Sequence, residues 1–105
     1  KKTKMFELSD SFIGLPGGYG TLEEVAELMT WAQLGFHEKP CGLINVEGYF
    51  DTLLTFLDET VSHGFMKSEH RNMLLVAKSP AELLSSFESY KAPTVPKWVG
   101  VEVRT

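Results

Sequence analysis

The chain has 105 residues, of which 43% are hydrophobic, 11% aromatic and 23% charged; that much apolar surface excludes a disordered chain, and the length admits a single domain. Fourteen acidic against ten basic residues leave a formal charge of -4, which excludes the basic excess of a nucleic-acid binder and leaves any anionic ligand to be caught by a local site. Cys41, the single cysteine, has no partner for an internal disulfide, and no apolar run approaches the roughly 20 residues that span a bilayer, so a cytoplasmic protein with no membrane partner is expected.

The chain opens on Lys1-Lys2-Thr3-Lys4 rather than on a methionine. Met5, Phe6 and Leu8 among the charges of Lys2 to Leu8 predict the end of a helix, broken at Ser9-Asp10. Ser11-Phe12-Ile13-Gly14-Leu15 is a nearly continuous apolar run stopped by Pro16-Gly17-Gly18, the pattern of a buried parallel strand and a tight loop. Thr21 stands at capping-box spacing before Glu24, so a helix is expected to start at Thr21. Leu22, Val25, Leu28, Met29 and Ala32 continue it at helical period, and Gly35 stops it.

After the turn His37-Glu38-Lys39-Pro40, the run Cys41-Gly42-Leu43-Ile44-Asn45-Val46 predicts a second strand. Phe50, Leu53, Leu54, Leu57 and Val61 then recur on one helix face, closed by Gly64. Met73 to Ala77 predicts the third strand. Ser79-Pro80-Ala81-Glu82 supplies an N-cap, a first-turn proline and a capping-box glutamate for a last helix reaching about Tyr90. Pro93 and Pro96 mark an irregular tail.

This alternation predicts an α/β fold: a parallel sheet with flanking helices, joined by right-handed crossovers. Sheets buried on both faces usually carry more than three strands, so the chain is expected to be truncated on its amino-terminal side. Ligands of such sheets bind beyond the carboxyl ends of strands, and the first such end is Pro16-Gly17-Gly18-Tyr19-Gly20-Thr21. Glycines there let backbone N–H groups approach an anion, and the loop opens into a helix start with partial positive charge, which suits phosphate. The loop has neither the Gly-Lys-Ser/Thr of a Walker loop nor the G-x-G-x-x-G spacing of a dinucleotide fold.

Glu23 and Glu24 are expected in the first turn of that helix. Two readings of Glu24 stand open: a capping residue reaching back to the Thr21 N–H, or a carboxylate available to stabilise a nascent cation or activate water. Trp31 lies in a helical apolar stripe, which is usually core, and Asn45 either binds the following turn or contacts ligand. His37, His63 and His70 lack metal-ligand spacing and are expected at the surface, and Cys41 is expected to be a small buried thiol. No metal and no organic cofactor is expected.

Pro16-Gly17-Gly18-Tyr19-Gly20-Thr21-Leu22-Glu23-Glu24 resembles the P-G-G-x-G-T-x-x-E motif of the Lonely Guy family of cytokinin riboside 5'-monophosphate phosphoribohydrolases, often mislabelled lysine decarboxylases. Trp31-Ala32-Gln33-Leu34-Gly35, Lys39-Pro40, Gly42 through Phe50 and Gly64-Phe65 are similar to that family too. The resemblance implies a Rossmann-like homodimer that cleaves the N-glycosidic bond of a nucleoside 5'-monophosphate, giving free base and ribose 5-phosphate. On that reading residues 1–105 are the carboxy-terminal portion of one Rossmann-like nucleotide-binding domain. The resemblance also implies a ligand or interface role for Trp31 as the alternative to core.

Carried over by position, the resemblance implies that Gly17, Gly18, Tyr19, Gly20, Thr21 and Glu23 bind substrate and that Glu24 is the catalytic carboxylate. The family pairs that carboxylate with an arginine in an upstream M-H-x-R-K segment, whose place falls on Lys1. Lysine keeps the charge and loses the bidentate fork. Family members are longer, and their amino-terminal half adds strands and a second glycine-rich loop. The 105-residue chain alone is therefore expected to lack hydrolase activity. Two alternatives accompany the enzyme reading: a nucleotide-binding module without catalysis, and an inactive fragment requiring a partner chain.

Overall fold

The computed structural model describes residues 10–93; Lys1, the expected helix end at Lys2 to Leu8 and Pro96 lie outside the described residues. Three strands, β1 (Phe12–Gly14), β2 (Cys41–Ile44) and β3 (Leu74–Ala77), form one parallel sheet in the order β1-β2-β3. Phe12 pairs with Cys41 and Cys41 with Leu74, so the strands start level and their carboxyl ends emerge along one rim. The helices are α1 (Tyr19–Gln33), α2 (Asp51–Ser62), α3 (Ser68–Arg71) and α4 (Pro80–Glu88). A 3-10 turn, Val46–Gly48, follows β2. This is the α/β fold expected, with helices on both sides of a parallel sheet.

Alternation along the strands sends Leu43 and Leu74 to one face. There they pack with Phe50 against Val25 and Met29 of α1 and Leu53, Leu54 and Leu57 of α2. The opposite face meets α4, whose Leu83 is fully buried. Two glycines set how closely these helices approach. A Cβ on Gly14 would stand 3.2 Å from Val25 Cγ2 of α1, and one on Gly42 would stand 2.6 Å from Leu83 Cδ1 of α4.

Burial on both faces holds along all of β2 but not along β1 or β3. The reason is position, because β2 has a strand on each side and α4 leaves β1 uncovered. Ile13 and Leu15 are 42% and 57% exposed.

Helices α1 and α2 end as their glycines predict. Gly35 (φ 85) and Gly64 (φ 80) are left-handed, and the N–H groups of Phe36 and Phe65 reach back to the carbonyls of Trp31 and Thr60 at 2.9 and 2.8 Å. The start of α1 differs from expectation. The helix begins at Tyr19 with Gly18 as N-cap and no side-chain cap bond, so Thr21 lies inside the first turn and Glu23 and Glu24 lie beyond it. The Thr21 hydroxyl packs over Gly17, occupying the space that a side chain there would take, instead of capping the helix end.

His37 also departs from expectation, being buried rather than at the surface. Its Nδ1 accepts from the Lys39 N–H at 3.0 Å and its Nε2 lies 3.0 Å from the Leu28 carbonyl. The Nε2–H tautomer satisfies both bonds and ties the loop after α1 back onto the helix. Helix α3 and the 3-10 turn had no counterpart among the predicted elements.

Candidate functional site

Between β1 and α1 the chain makes a tight turn through Leu15-Pro16-Gly17-Gly18. The first bond of α1 runs from the Leu22 N–H to the Gly18 carbonyl at 3.1 Å. The N–H groups of Tyr19, Gly20 and Thr21 therefore have no partner within the helix, and its first turn holds no acidic residue. A Cβ on Gly18 or Gly20 would meet nothing within 4 Å. Backbone donors, helix dipole and open space thus coincide at the carboxyl end of β1, a combination suited to an oxyanion.

A cleft of 270 Å³ opens between β1 and α1. Thr21, Glu24, Leu28 and Trp31 line it from the helix, since spacings of three, four and three residues keep them on one helical face. Glu24 is exposed to the cleft. No hydrogen bond or ion pair among the described residues engages its carboxylate, because the helix begins too early for Glu24 to cap it. The open choice between cap and uncommitted carboxylate is thereby closed against the cap.

The residues expected at the site therefore divide. Thr21 and Glu24 share the cleft, while Gly17, Gly18 and Gly20 lie in the turn before and at the start of α1 and are not part of its lining. Tyr19, 92% exposed, and Glu23 lie outside the cleft lining. Trp31 borders the cleft half-buried, and Glu27, not singled out from the sequence, borders it too.

Sequence reasoning also missed a brace on the glycine loop: the Tyr49 hydroxyl donates to the Gly17 carbonyl at 2.6 Å. Tyr49 falls within a segment that resembles the family, but nothing in a separation of 32 residues signals the contact. Asn45 binds its own turn, accepting from the Phe50 N–H and donating to Asp51, both at 2.8 Å.

The remaining candidates lie away from this chemistry. Burial raises the Cys41 thiol to about 11, so it is inert packing, as expected. His70 is half-buried and is held below its ordinary range first by burial and then by Lys67. Among the described residues no three or more His, Cys, Asp and Glu side chains are grouped to hold a metal ion. No helix of the described residues is long and apolar enough to cross a membrane.

A parallel α/β sheet whose first strand runs through a glycine loop into an uncapped helix, with a carboxylate one turn along, defines a Rossmann-like class of protein. More narrowly, the chain belongs to the family described as possible lysine decarboxylase, which matches residues 1–87. It is 52% identical over 90 residues to cytokinin riboside 5'-monophosphate phosphoribohydrolase LOG1 of Arabidopsis thaliana, covering 86% of this chain and 42% of that protein. It is likewise 52% identical over 91 residues to LOG5 of the same plant, covering 87% of this chain and 40% of that protein. The probable enzyme LOGL2 of Oryza sativa subsp. japonica is 50% identical over 90 residues, 86% of this chain and 37% of its own length. The chain thus spans well under half the length of these relatives.

Proposed function

We propose that this protein is a cytoplasmic phosphoribohydrolase acting on N6-substituted adenosine 5'-monophosphates, releasing the free base and ribose 5-phosphate. The observation that carries the reading is that Thr21 and Glu24 line one cleft at the mouth of an uncapped helix. The relatives named cytokinin riboside 5'-monophosphate phosphoribohydrolases support a nucleoside 5'-monophosphate as the substrate class.

In this reading the N–H groups of Gly18, Tyr19, Gly20 and Thr21, with the Thr21 hydroxyl, receive the 5'-phosphate. Glu24 follows Thr21 by three residues, a rise of about 4.5 Å along the helix, so the ribose of a phosphate held at the helix start extends toward the carboxylate. Cleavage of the N-glycosidic bond builds positive charge on C1' and the ring oxygen. A fixed carboxylate beside that charge lowers the barrier, and the same oxygens orient the attacking water. Phosphate binding contributes by holding C1' in place, so remote binding energy acts at the reacting centre. Lys1, at the place of the family's arginine, supplies a cation to the same ligand. Gly17 and Glu23 support the loop and helix start from outside the cleft.

The protein acts as a homodimer in this proposal. Phe36, Phe56 and Phe65, 68%, 59% and 78% exposed, supply the kind of aromatic surface that interfaces favour.

The test is incubation with an N6-substituted adenosine 5'-monophosphate and chromatography of the products. Free base and ribose 5-phosphate are expected from the full-length protein and not from its Glu24→Gln variant, while the 105-residue chain alone is expected to release neither. Bound but unchanged nucleotide would replace the enzyme reading with that of a binding module.

A further inference from the structure

We propose that Tyr49 is a positioning residue for the glycine loop, its hydroxyl holding the Gly17–Gly18 peptide in one orientation and so aiming the Gly18 N–H at an anion bound at the start of α1. This inference rests on the nucleotide reading above and concerns how the phosphate end of that site is kept in shape.

The need for such a brace follows from the loop's composition. A peptide between two glycines is among the least restrained in a chain, because neither residue has a Cβ to limit its dihedral angles. At Gly18 nothing packs within 4 Å of where a Cβ would stand, so surrounding side chains do not hold that residue either. A trans peptide is planar, with its C=O and N–H pointing in opposite directions. A donor that grips the Gly17 carbonyl therefore also sets the direction of the Gly18 N–H. The Tyr49 hydroxyl, 2.6 Å from that carbonyl, is such a donor.

Tyr49 is 56% exposed and is anchored through its backbone and one ring contact. Its ring meets Phe50 edge to face, with centroids 5.1 Å apart, and Phe50 is a core residue at 4% exposure. The Phe50 N–H is held by Asn45 Oδ1, and Asn45 Nδ2 is held by Asp51, each at 2.8 Å. The Tyr49 N–H reaches the Val46 carbonyl at 2.9 Å. Between them Glu47 (φ 50) and Gly48 (φ 73) are left-handed, a costly backbone for Glu47 that the surrounding bonds over-determine. The loop after β2 thus presents one hydroxyl to the loop after β1, and both loops lie on the rim where the strands end.

The test is Tyr49→Phe in the full chain, which keeps the ring on Phe50 and removes only the donor. Calorimetry with adenosine 5'-monophosphate and with adenosine is paired with 15N spectra of the Gly18, Tyr19 and Gly20 amides. The variant is expected to bind the monophosphate about fivefold more weakly, the effect of one lost hydrogen bond, while adenosine binding is unchanged. The Gly18 amide should broaden or shift in the ligand-free variant as the peptide samples its second orientation. Unchanged affinity for the monophosphate, or equal losses for both ligands, overturns the positioning role. A wild type that binds the monophosphate no better than adenosine overturns the phosphate site itself and this inference with it, an outcome distinct from failure of the variant alone.

Discussion

Helix α4 starts on Ser79-Pro80-Ala81-Glu82 and helix α1 carries Thr21-Leu22-Glu23-Glu24 at the same spacing, yet only the first quartet closes a helix end. Ser79 Oγ accepts from the Glu82 N–H at 3.3 Å, and Glu82 Oε1 accepts from the Lys78 N–H at 3.1 Å. The Ser79 hydroxyl and the Glu82 carboxylate of that motif are thus both engaged in closing the helix end. In α1 the glycines before Thr21 let the helix begin at Tyr19, which leaves three amides, a hydroxyl and a carboxylate uncommitted. The comparison teaches that an uncapped helix start, stable only because tertiary packing holds α1, is what makes room for chemistry.

The largest effect that could break this contrast is on turnover. In the full-length protein Glu24→Gln is expected to lower turnover by about a thousandfold while the monophosphate binds within about tenfold of wild type, because the charge matters most in the transition state. Glu82→Gln should leave turnover unchanged. Steady-state kinetics and calorimetry on the two variants check this, and comparable turnover losses would dissolve the distinction between the two glutamates.

A smaller effect sharpens the role of the glycines. Gly17→Ala forces a methyl into the space of the Thr21 hydroxyl, so the Thr21 side chain or the loop must shift. A loss of about 1–3 kcal/mol in stability is expected, as for overpacking, with weakened binding of the monophosphate. Gly18→Ala meets no atom within 4 Å and should leave the denaturation midpoint near wild type. Denaturant titrations of the pair would show it.

The smallest expected effects concern the two hydroxyls. Ser79→Ala should cost about 1 kcal/mol, the usual loss of an N-cap, and leave nucleotide affinity alone. Thr21→Ala should change stability by no more than about 0.5 kcal/mol, since no cap is lost, yet weaken the monophosphate about tenfold, as for a hydrogen bond to a charged group. Thermal unfolding and calorimetry on both variants are the measurement, and a stability loss at Thr21 matching that at Ser79 would restore the capping reading.

The strands, the main helices and their glycine stops were legible because they rest on local causes. Apolar runs make buried strands, the Phe50-Leu53-Leu54-Leu57 stripe has helical period, and Gly35 and Gly64 stand where a left-handed residue is needed. The glycine loop was legible too, because the absence of side chains is itself the signal. The sequence could not reveal which capping box closes, since Thr21-x-x-Glu24 and Ser79-x-x-Glu82 are the same pattern and the outcome depends on where the Thr21 hydroxyl packs. Nor could it show that His37 is buried, which follows from a bond to Leu28 across the turn. The Tyr49 brace was hidden for the same reason, because two loops distant in sequence become neighbours only when β1 and β2 pair in register. What the sequence by itself determined is the order of elements and the place of an anion-suited loop, both set within a few residues of chain. The tertiary structure alone decided which polar groups of that loop are used up in holding the fold and which are left for a ligand, because hydrogen-bond partners are assigned by packing between segments.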